Sequence, residues 1–257
     1  MIKQIKFEYM RVLKPNRYSL VIVLGLLLLQ VSTMTGYAQR TVTFPHEDTI
    51  VLDPGHGGHD QGAQGPKGSL EKTVTLNLAR RIQAVIGDNY KVILTRTDDY
   101  GLELAERTAA ANHIGANLFI GLHTGGSLRH ETTGMTVYYY EETYRPMKVS
   151  ELVETEAQEK GDQLVAWDTV QLRHVAESRR FAEILQDRLK RESGTSSCEL
   201  QGAPLAVLKG ADMPAVLIET GYLTHPVDEN KLNDPDMLNE IAAMIGQAID
   251  DFLVKTP

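Results

Sequence analysis

Residues 50–58 read Ile50-Val51-Leu52-Asp53-Pro54-Gly55-His56-Gly57-Gly58. The three apolar residues at the start favour a buried strand, which the proline and glycine then end. A glycine-rich loop continues to Gly68, and a helix is predicted from Glu71 to Ile86 because apolar residues recur there at helical spacing. The order strand, glycine-rich loop, helix predicts the first unit of an α/β fold.

The rest of the chain repeats this alternation. Predicted strands cover Lys91–Thr95, Leu118–Leu122, Gly134–Tyr140, Leu205–Leu208 and Ala215–Thr220, and predicted helices cover Leu102–His113, Arg173–Arg191 and Asp236–Val254. Alternating strands and amphipathic helices predict an α/β domain with a mostly parallel or mixed sheet. The acidic, polar stretch Glu141–His174 breaks the rhythm, so we interpret it as a variable insertion in one domain, residues 49–257.

The N-terminus has the pattern of an export signal. Five Lys or Arg residues precede the apolar run Leu20–Leu29, and Gly36-Tyr37-Ala38 offers small residues before a cut at Gln39. We therefore predict a signal peptide over residues 1–38, a polar tether over 39–48, and export to the periplasm or the cell exterior. The alternative is an uncleaved anchor, for which the run is short, since a span needs about 20 apolar residues.

The charge and the cysteine content exclude certain partners and certain kinds of site. Five of the 26 Lys and Arg residues and one of the 34 Asp and Glu residues precede residue 39, which gives the mature chain a net charge of −12. Such a surface repels nucleic acid and anionic lipid, so we expect neither as a partner. Cys198 is the only cysteine, which excludes an internal disulfide and a thiolate zinc site.

Four residues form the candidate site: His56, Glu71, His123 and Glu219. His56, His123 and Glu219 each sit at the end of a predicted strand, and ligands of open α/β sheets bind at the carboxyl ends of strands. Glu71 opens a predicted helix, and the glycine-rich loop can bring it to the same place. Two imidazoles and one carboxylate are typical ligands of a catalytic zinc, with a further carboxylate as general base.

Each residue also has a plainer interpretation. His56 could be an exposed loop histidine, Glu71 could only face the helix dipole, and His123 could be a satisfied buried histidine. Glu219 is harder to dismiss, because a carboxylate after Ala215–Ile218 would be desolvated without a partner. His59 is expected beside the ligands or facing solvent. The remaining histidines are not expected to bind metal: His46, His113, His130, His174 and His225.

These motifs resemble the zinc-dependent N-acetylmuramoyl-L-alanine amidases, bacterial cell-wall enzymes. The resemblance begins at Val51–Asp60 and runs over nearly all of the mature chain. Further landmarks in the family's order are Glu71-Lys72, Leu94-Thr95-Arg96, Leu104 with Arg107, Ala111-Asn112, Phe119–His123, Gly134–Tyr138, Ser178–Arg180 and Met213–Thr224.

The resemblance implies a fold and a reaction. It implies a single-domain, six-stranded mixed sheet flanked by helices on both faces, one Zn²⁺ held by His56, Glu71 and His123, and Glu219 as the catalytic glutamate. The reaction implied is hydrolysis of the amide between the lactyl group of N-acetylmuramic acid and L-alanine of the peptidoglycan stem peptide. Such a reaction would serve wall remodelling, daughter-cell separation or muropeptide recycling.

Departures from the family leave alternatives open. Thr124-Gly125-Gly126 stands where the family commonly has Ala-Asn, and Glu199–Pro204 lacks a basic residue often found there. Some relatives carry an autoinhibitory helix in the region of Glu141–His174, where a plain surface loop is the alternative. A zinc exopeptidase acting on free peptides and a non-catalytic peptidoglycan-binding regulator are the competing functions. The need for an activator protein, the stem-peptide preference and the oligomeric state are not specified.

Overall fold

The structure, a computed structural model, describes residues 48–142, 167–192 and 197–253. The predicted signal peptide lies outside the described residues, as does the tether except for Asp48. Most of the predicted insertion, residues 143–166, lies outside them too, so the question of an autoinhibitory helix falls on residues that are not described. No helix in the described ranges has the length and apolar character needed to cross a bilayer.

Strands and helices alternate along the chain. The strands are β1 (Thr49–Pro54), β2 (Lys91–Leu94), β3 (Leu118–Gly125), β4 (Met135–Tyr140), β5 (Cys198–Ala203) and β6 (Ala215–Tyr222). The helices are α1 (Glu71–Ile86), α2 (Leu104–His113), α3 (Val175–Glu192), α4 (Ala206–Lys209), α5 (Pro226–Leu232) and α6 (Pro235–Leu253). A 3₁₀ helix, Trp167–His174, leads into α3.

The six strands form one mixed sheet in the order β2-β1-β3-β6-β4-β5. Every neighbouring pair is parallel except β4 and β6, which are antiparallel. The prediction of an α/β domain with a six-stranded, mostly parallel sheet is confirmed.

Each face of the sheet carries its own apolar core. Alternate residues of one strand point to opposite faces, so Ile50 and Leu52 join a larger cluster while Val51 joins a smaller one. The larger cluster packs against α1, α3 and α6, where α6 buries Ile241, Ile245 and others at helical spacing. The smaller cluster includes residues of α2 and α4. Helices therefore cover both faces, as predicted.

One predicted strand was wrong. Leu205–Leu208 lies largely in the short helix α4, and the penultimate strand is β5, five to seven residues earlier. Leu205–Leu208 is apolar because Val207 and Leu208 are buried in the smaller cluster. β5 is an edge strand with mostly exposed or half-exposed side chains, so it lacks the apolar run that marks a central strand.

Other boundaries also differ from the prediction. β3 and β6 run further than expected, to Gly125 and Tyr222, and the helix α5 was not predicted. The end of the predicted insertion is an integral part of the fold, since the buried Gln171 of the 3₁₀ helix donates hydrogen bonds to the carbonyls of Ala211 and Met213, at 2.7 and 2.9 Å.

Candidate metal centre

His123 and Glu219 occupy matching positions on the neighbouring strands β3 and β6. Residues in register on adjacent strands point to the same face. Leu217, two residues before Glu219, belongs to the smaller core cluster, so this face is the one that α2 and α4 cover only in part. Both side chains are half-buried. The expectation that they sit at the ends of strands was wrong, because each lies inside its longer strand.

His56 lies in the turn that follows β1. Its backbone is left-handed, with a φ of 62° that is uncommon for a residue other than glycine. Its Nδ1 atom is 2.8 Å from Oδ2 of Asp60. This contact fixes the orientation of the ring and leaves Nε2 directed at Glu71, 3.1 Å from its Oε2 atom. Carboxylate-oriented imidazoles are usual among metal ligands.

Glu71, the first residue of α1, lies between the two histidines. One of its oxygens, Oε1, is 3.1 Å from Nδ1 of His123 and accepts a hydrogen bond of 2.9 Å from the backbone N–H of Thr124. The other, Oε2, accepts a hydrogen bond of 2.8 Å from the N–H of Ala63. The side chain is only 4 % exposed, so these contacts hold the carboxylate in one position.

The electrostatics favour an ionised carboxylate among imidazoles. Burial on its own would raise the pKa of Glu71, but hydrogen bonds with His123 and His56 outweigh it and lower the pKa far below its usual range. Burial would lower the pKa of His56, whereas its contacts with Glu71 and Asp60 raise it overall. An ionised carboxylate therefore lies between the two imidazoles.

The three side chains fit a metal ion. Their donor atoms all lie within 4.8 Å of one another, and Glu71 is 3.1 Å from each histidine. Donors at tetrahedral positions about 2.1 Å from a zinc ion lie roughly 3.4 Å apart. Within residues 48–142, 167–192 and 197–253 this is the only such group of three. Their role as zinc ligands, like the catalytic role of Glu219, stays a prediction.

Two glycines make the close approach of these side chains possible. A Cβ atom on Gly55 would lie 2.7 Å from both ring nitrogens of His123. A Cβ atom on Gly62, where φ is also positive, would lie 2.6 Å from Oε2 of Glu71 and from the His56 ring. The glycine-rich loop thus brings its backbone against the site, as the sequence suggested.

Glu219 has an environment suited to a proton carrier. Burial raises the pKa of its carboxyl group above the ordinary value, although the nearby His123 and Tyr138 act in the opposite direction. Tyr138 lies on β4, whose Thr136 is the register partner of Glu219. The sequence analysis did not single out Tyr138. The alternation of Thr136, Tyr138 and Tyr140 on one face would have been the available signal.

A cleft of about 470 Å³ opens beside the site. It is lined by His56, His59, Asp60, Leu104, Arg107 and His123, among others. His59 faces this cleft and is not part of the donor group, in agreement with its interpretation from sequence. The cleft offers room for a substrate next to the candidate ligands.

The remaining described histidines lie elsewhere. His174 is 2.9 Å from Asp212, and His130 is 2.9 Å from the carbonyl of Thr224. His113 is in α2, and His225 precedes α5. His46 lies outside the described residues.

Together the fold and the site define an α/β domain with a His-Glu-His group that could hold a metal ion and a neighbouring glutamate on the same sheet face. The sequence profile of the family described as N-acetylmuramoyl-L-alanine amidase matches residues 50–251. The chain belongs to this family.

The individual proteins that this chain resembles are also N-acetylmuramoyl-L-alanine amidases. The N-acetylmuramoyl-L-alanine amidase AmiC of Escherichia coli O6:H1 is 31% identical over 214 residues, covering 76% of this chain and 50% of the relative. AmiA of Escherichia coli K12 is 30% identical over 216 residues, covering 78% of this chain and 74% of the relative. The crystallised amidase AmiC2 of Nostoc punctiforme superposes with a TM-score of 0.65 at 26% identity, covering 81% of this chain and 98% of that one. The chain thus spans half the length of the first relative and about three quarters of the second.

Proposed function

We propose that this protein is a zinc-dependent amidase of peptidoglycan. It cleaves the amide that joins the lactyl group of N-acetylmuramic acid to L-alanine of the stem peptide. The observation that carries the proposal is the convergence of His56, Glu71 and His123, with Glu219 in register beside them, in a chain of this family. His56, Glu71 and His123 would hold the zinc.

A bound zinc ion supplies Lewis acidity, which polarises the scissile carbonyl and acidifies water. The protein's own residues do the rest. Glu219 accepts the proton of the attacking water and delivers it to the departing amine of L-alanine. A carboxyl group whose pKa is raised by burial is well matched to both tasks, because it can hold the proton between the two transfers.

The setting of the reaction follows from the N-terminal pattern. We propose that residues 1–38 are a signal peptide, residues 39–48 a tether and residues 49–257 the catalytic domain, which acts in the periplasm or outside the cell. The net charge of −12 expected for the mature chain is consistent with a partner other than nucleic acid. Wall remodelling, daughter-cell separation and muropeptide recycling are the processes that such an activity serves.

The decisive experiment compares two substrates. Purified protein, with its zinc content measured, is incubated with an N-acetylmuramoyl peptide and with the same stem peptide lacking the sugar. Release of the free stem peptide from the first, loss of that release on chelation and its return with added zinc support the proposal. Cleavage of the bare peptide would instead favour an exopeptidase, and a zinc-loaded but inert protein would favour a binding role.

A further inference from the structure

Two buried arginines surround the turn that carries His56. Arg96, two residues after the end of β2, is fully buried, and Arg107 of α2 is 4 % exposed. Neither is a candidate ligand, and neither has a role in the proposed reaction. Buried guanidinium groups are costly unless all their donors are used, so their placement needs a reason.

The arginines donate to three consecutive backbone carbonyls. Arg96 donates to the carbonyls of Pro54 and Gly55, at 2.9 and 2.8 Å. Arg107 donates to the carbonyls of Pro54 and His56, both at 3.1 Å. The planar guanidinium groups of the two arginines thus fix the whole turn from the end of β1 to His56.

The same two side chains also tie this turn to its surroundings. Arg96 donates to the carbonyl of Lys72 at 2.7 Å, and Lys72 directly follows Glu71. Arg107 donates to the carbonyl of Leu102 and, at 2.8 Å, to Oδ1 of the fully buried Asp53. The turn with one candidate ligand is therefore linked to the helix with another.

The charges around Arg96 and Arg107 indicate that these side chains do more than fill space in the core. Asp53 is the single buried carboxylate that pairs with Arg107, and its second oxygen, Oδ2, has no hydrogen-bond partner among the described residues. Two guanidinium groups are thus balanced by one buried carboxylate and several carbonyls. An apolar filling would stabilise the core at lower cost, which points to a function in holding the turn.

The turn needs such support because His56 adopts a left-handed backbone with a φ of 62°. This conformation is unfavourable for a residue with a Cβ atom and persists only where its surroundings impose it. If the turn relaxed, the His56 ring would leave its position 3.1 Å from Glu71. Outer partners of metal ligands commonly change metal affinity by about 10–100-fold.

We propose that Arg96 and Arg107 are positioning residues for the metal site, which impose the left-handed turn that aims His56 at the ion. The inference rests on the proposed zinc site, yet it is separate from the identity of the substrate. It assigns to these arginines an effect on zinc affinity.

The test is a double-mutant cycle read out as zinc affinity. Arg107→Lys and Arg96→Lys are each made in the wild-type, His56→Ala and His123→Ala backgrounds, and the zinc dissociation constant is measured by competition with a chromophoric chelator. We expect each lysine variant to weaken zinc binding about 10–100-fold in the wild-type and His123→Ala backgrounds. In the His56→Ala background we expect no further loss.

A purely structural role would give a different pattern. Equal losses in the His56→Ala and His123→Ala backgrounds, or unchanged affinity in folded lysine variants, would overturn the proposal. Arg188→Lys is the matched control, since Arg188 pairs with Asp251 on the surface and should leave zinc affinity unchanged. Circular dichroism of the metal-free proteins establishes that each variant is folded.

If the lysine variants do not fold, Asp53→Asn replaces them. This change removes the only carboxylate that pairs with Arg107 among the described residues, with almost no change in shape. Asp53→Asn should weaken zinc binding in the wild-type background and have no further effect in the His56→Ala background. Unchanged zinc affinity in the wild-type background would refute the proposal. A wild type that binds zinc and obeys the cycle but cleaves no muropeptide would refute the proposed function alone.

Discussion

His123 and Glu219 lie at one register position of two parallel strands, so backbone hydrogen bonding sets the spacing between a candidate metal ligand and the candidate base. Their roles should separate on substitution. We expect Glu219→Gln to retain one zinc and to lose about 10²–10⁴-fold in turnover, because general acid–base catalysis contributes that much. His123→Ala should bind zinc more weakly, at a dissociation constant that can still be measured, and should lose turnover. Metal content and muropeptide hydrolysis measured on the same samples check this, and zinc loss from Glu219→Gln would contradict it.

Tyr138 should support Glu219 without contributing to metal binding. Its hydroxyl group is one of the influences that hold down the raised pKa of Glu219. Loss of one polar contact of this kind costs about 1 kcal/mol, so we expect Tyr138→Phe to lose roughly fivefold in kcat/KM with zinc affinity unchanged. Tyr139→Phe is the control, because the neighbouring Tyr139 belongs to the core on the opposite face. Equal effects of the two variants would exclude a specific role.

Gly55→Ala should damage the site through a collision with His123. The added methyl group would lie 2.7 Å from both ring nitrogens, so the imidazole must move away from Glu71. We expect a loss of zinc affinity of at least tenfold, in the range seen when ligand orientation is disturbed. Gly121→Ala serves as the control, since its methyl group would meet Leu217 at an ordinary 3.6 Å. Chelator competition measures both variants.

Glu229 should contribute to stability by fixing the glycine-rich loop to α5. Its buried carboxylate accepts hydrogen bonds from the backbone N–H groups of Lys67, at 3.0 and 2.9 Å, and of Ser69, at 3.2 Å. Glu229→Gln would set an amide N–H against these donors. We expect a loss of about 1–3 kcal/mol in the free energy of unfolding, measured by urea denaturation. The exposed Glu240→Gln should change it by less than about 0.5 kcal/mol.

Cys198 should make stability depend on pH in the alkaline range. Burial raises the pKa of its thiol from 9.0 to about 11. The unfolded chain therefore loses this proton first, so the contribution to stability is constant below pH 9, falls as the pH rises towards 11, and is then exhausted. The loss should reach about 2–3 kcal/mol.

Comparison with Cys198→Ala isolates this contribution, because the buried tyrosines titrate identically in both proteins. The difference in free energy of unfolding between the two should shrink across this range and stay constant at lower pH. A difference that is the same at pH 8 and pH 11 would contradict the raised pKa.

Apolar periodicity in the sequence was sufficient to predict the central elements of the fold. β1, α1 and α6 carry strong patterns because they are buried, and all three were predicted within a few residues. β5 was missed because an edge strand needs no apolar run. α5 was missed because its residues serve polar contacts, such as those of Glu229, more than a hydrophobic face.

The candidate site was likewise predicted only in part. His56, His123 and Glu219 were predicted because each sits at the end of a predicted strand, and Glu71 because it opens a predicted helix. The structure brings the first two and Glu71 together. Tyr138 and the roles of Arg96 and Arg107 were not foreseen. Their functions depend on which strand or turn they meet in space, and a single sequence does not state that register.

The order of the strands ties assembly of the candidate site to the last stages of folding. β3 and β6 are adjacent in the sheet, yet Thr220 of β6 contacts His123 across 97 residues of chain. Contacts so distant in sequence form late, after the entropy of closing a long loop has been overcome. An incomplete chain, or one still passing through a membrane, would lack the register that joins the ligands to Glu219. On the proposed function, hydrolytic competence would arise only in a finished domain, which would spare the cell from wall cleavage by a protein that is still being made.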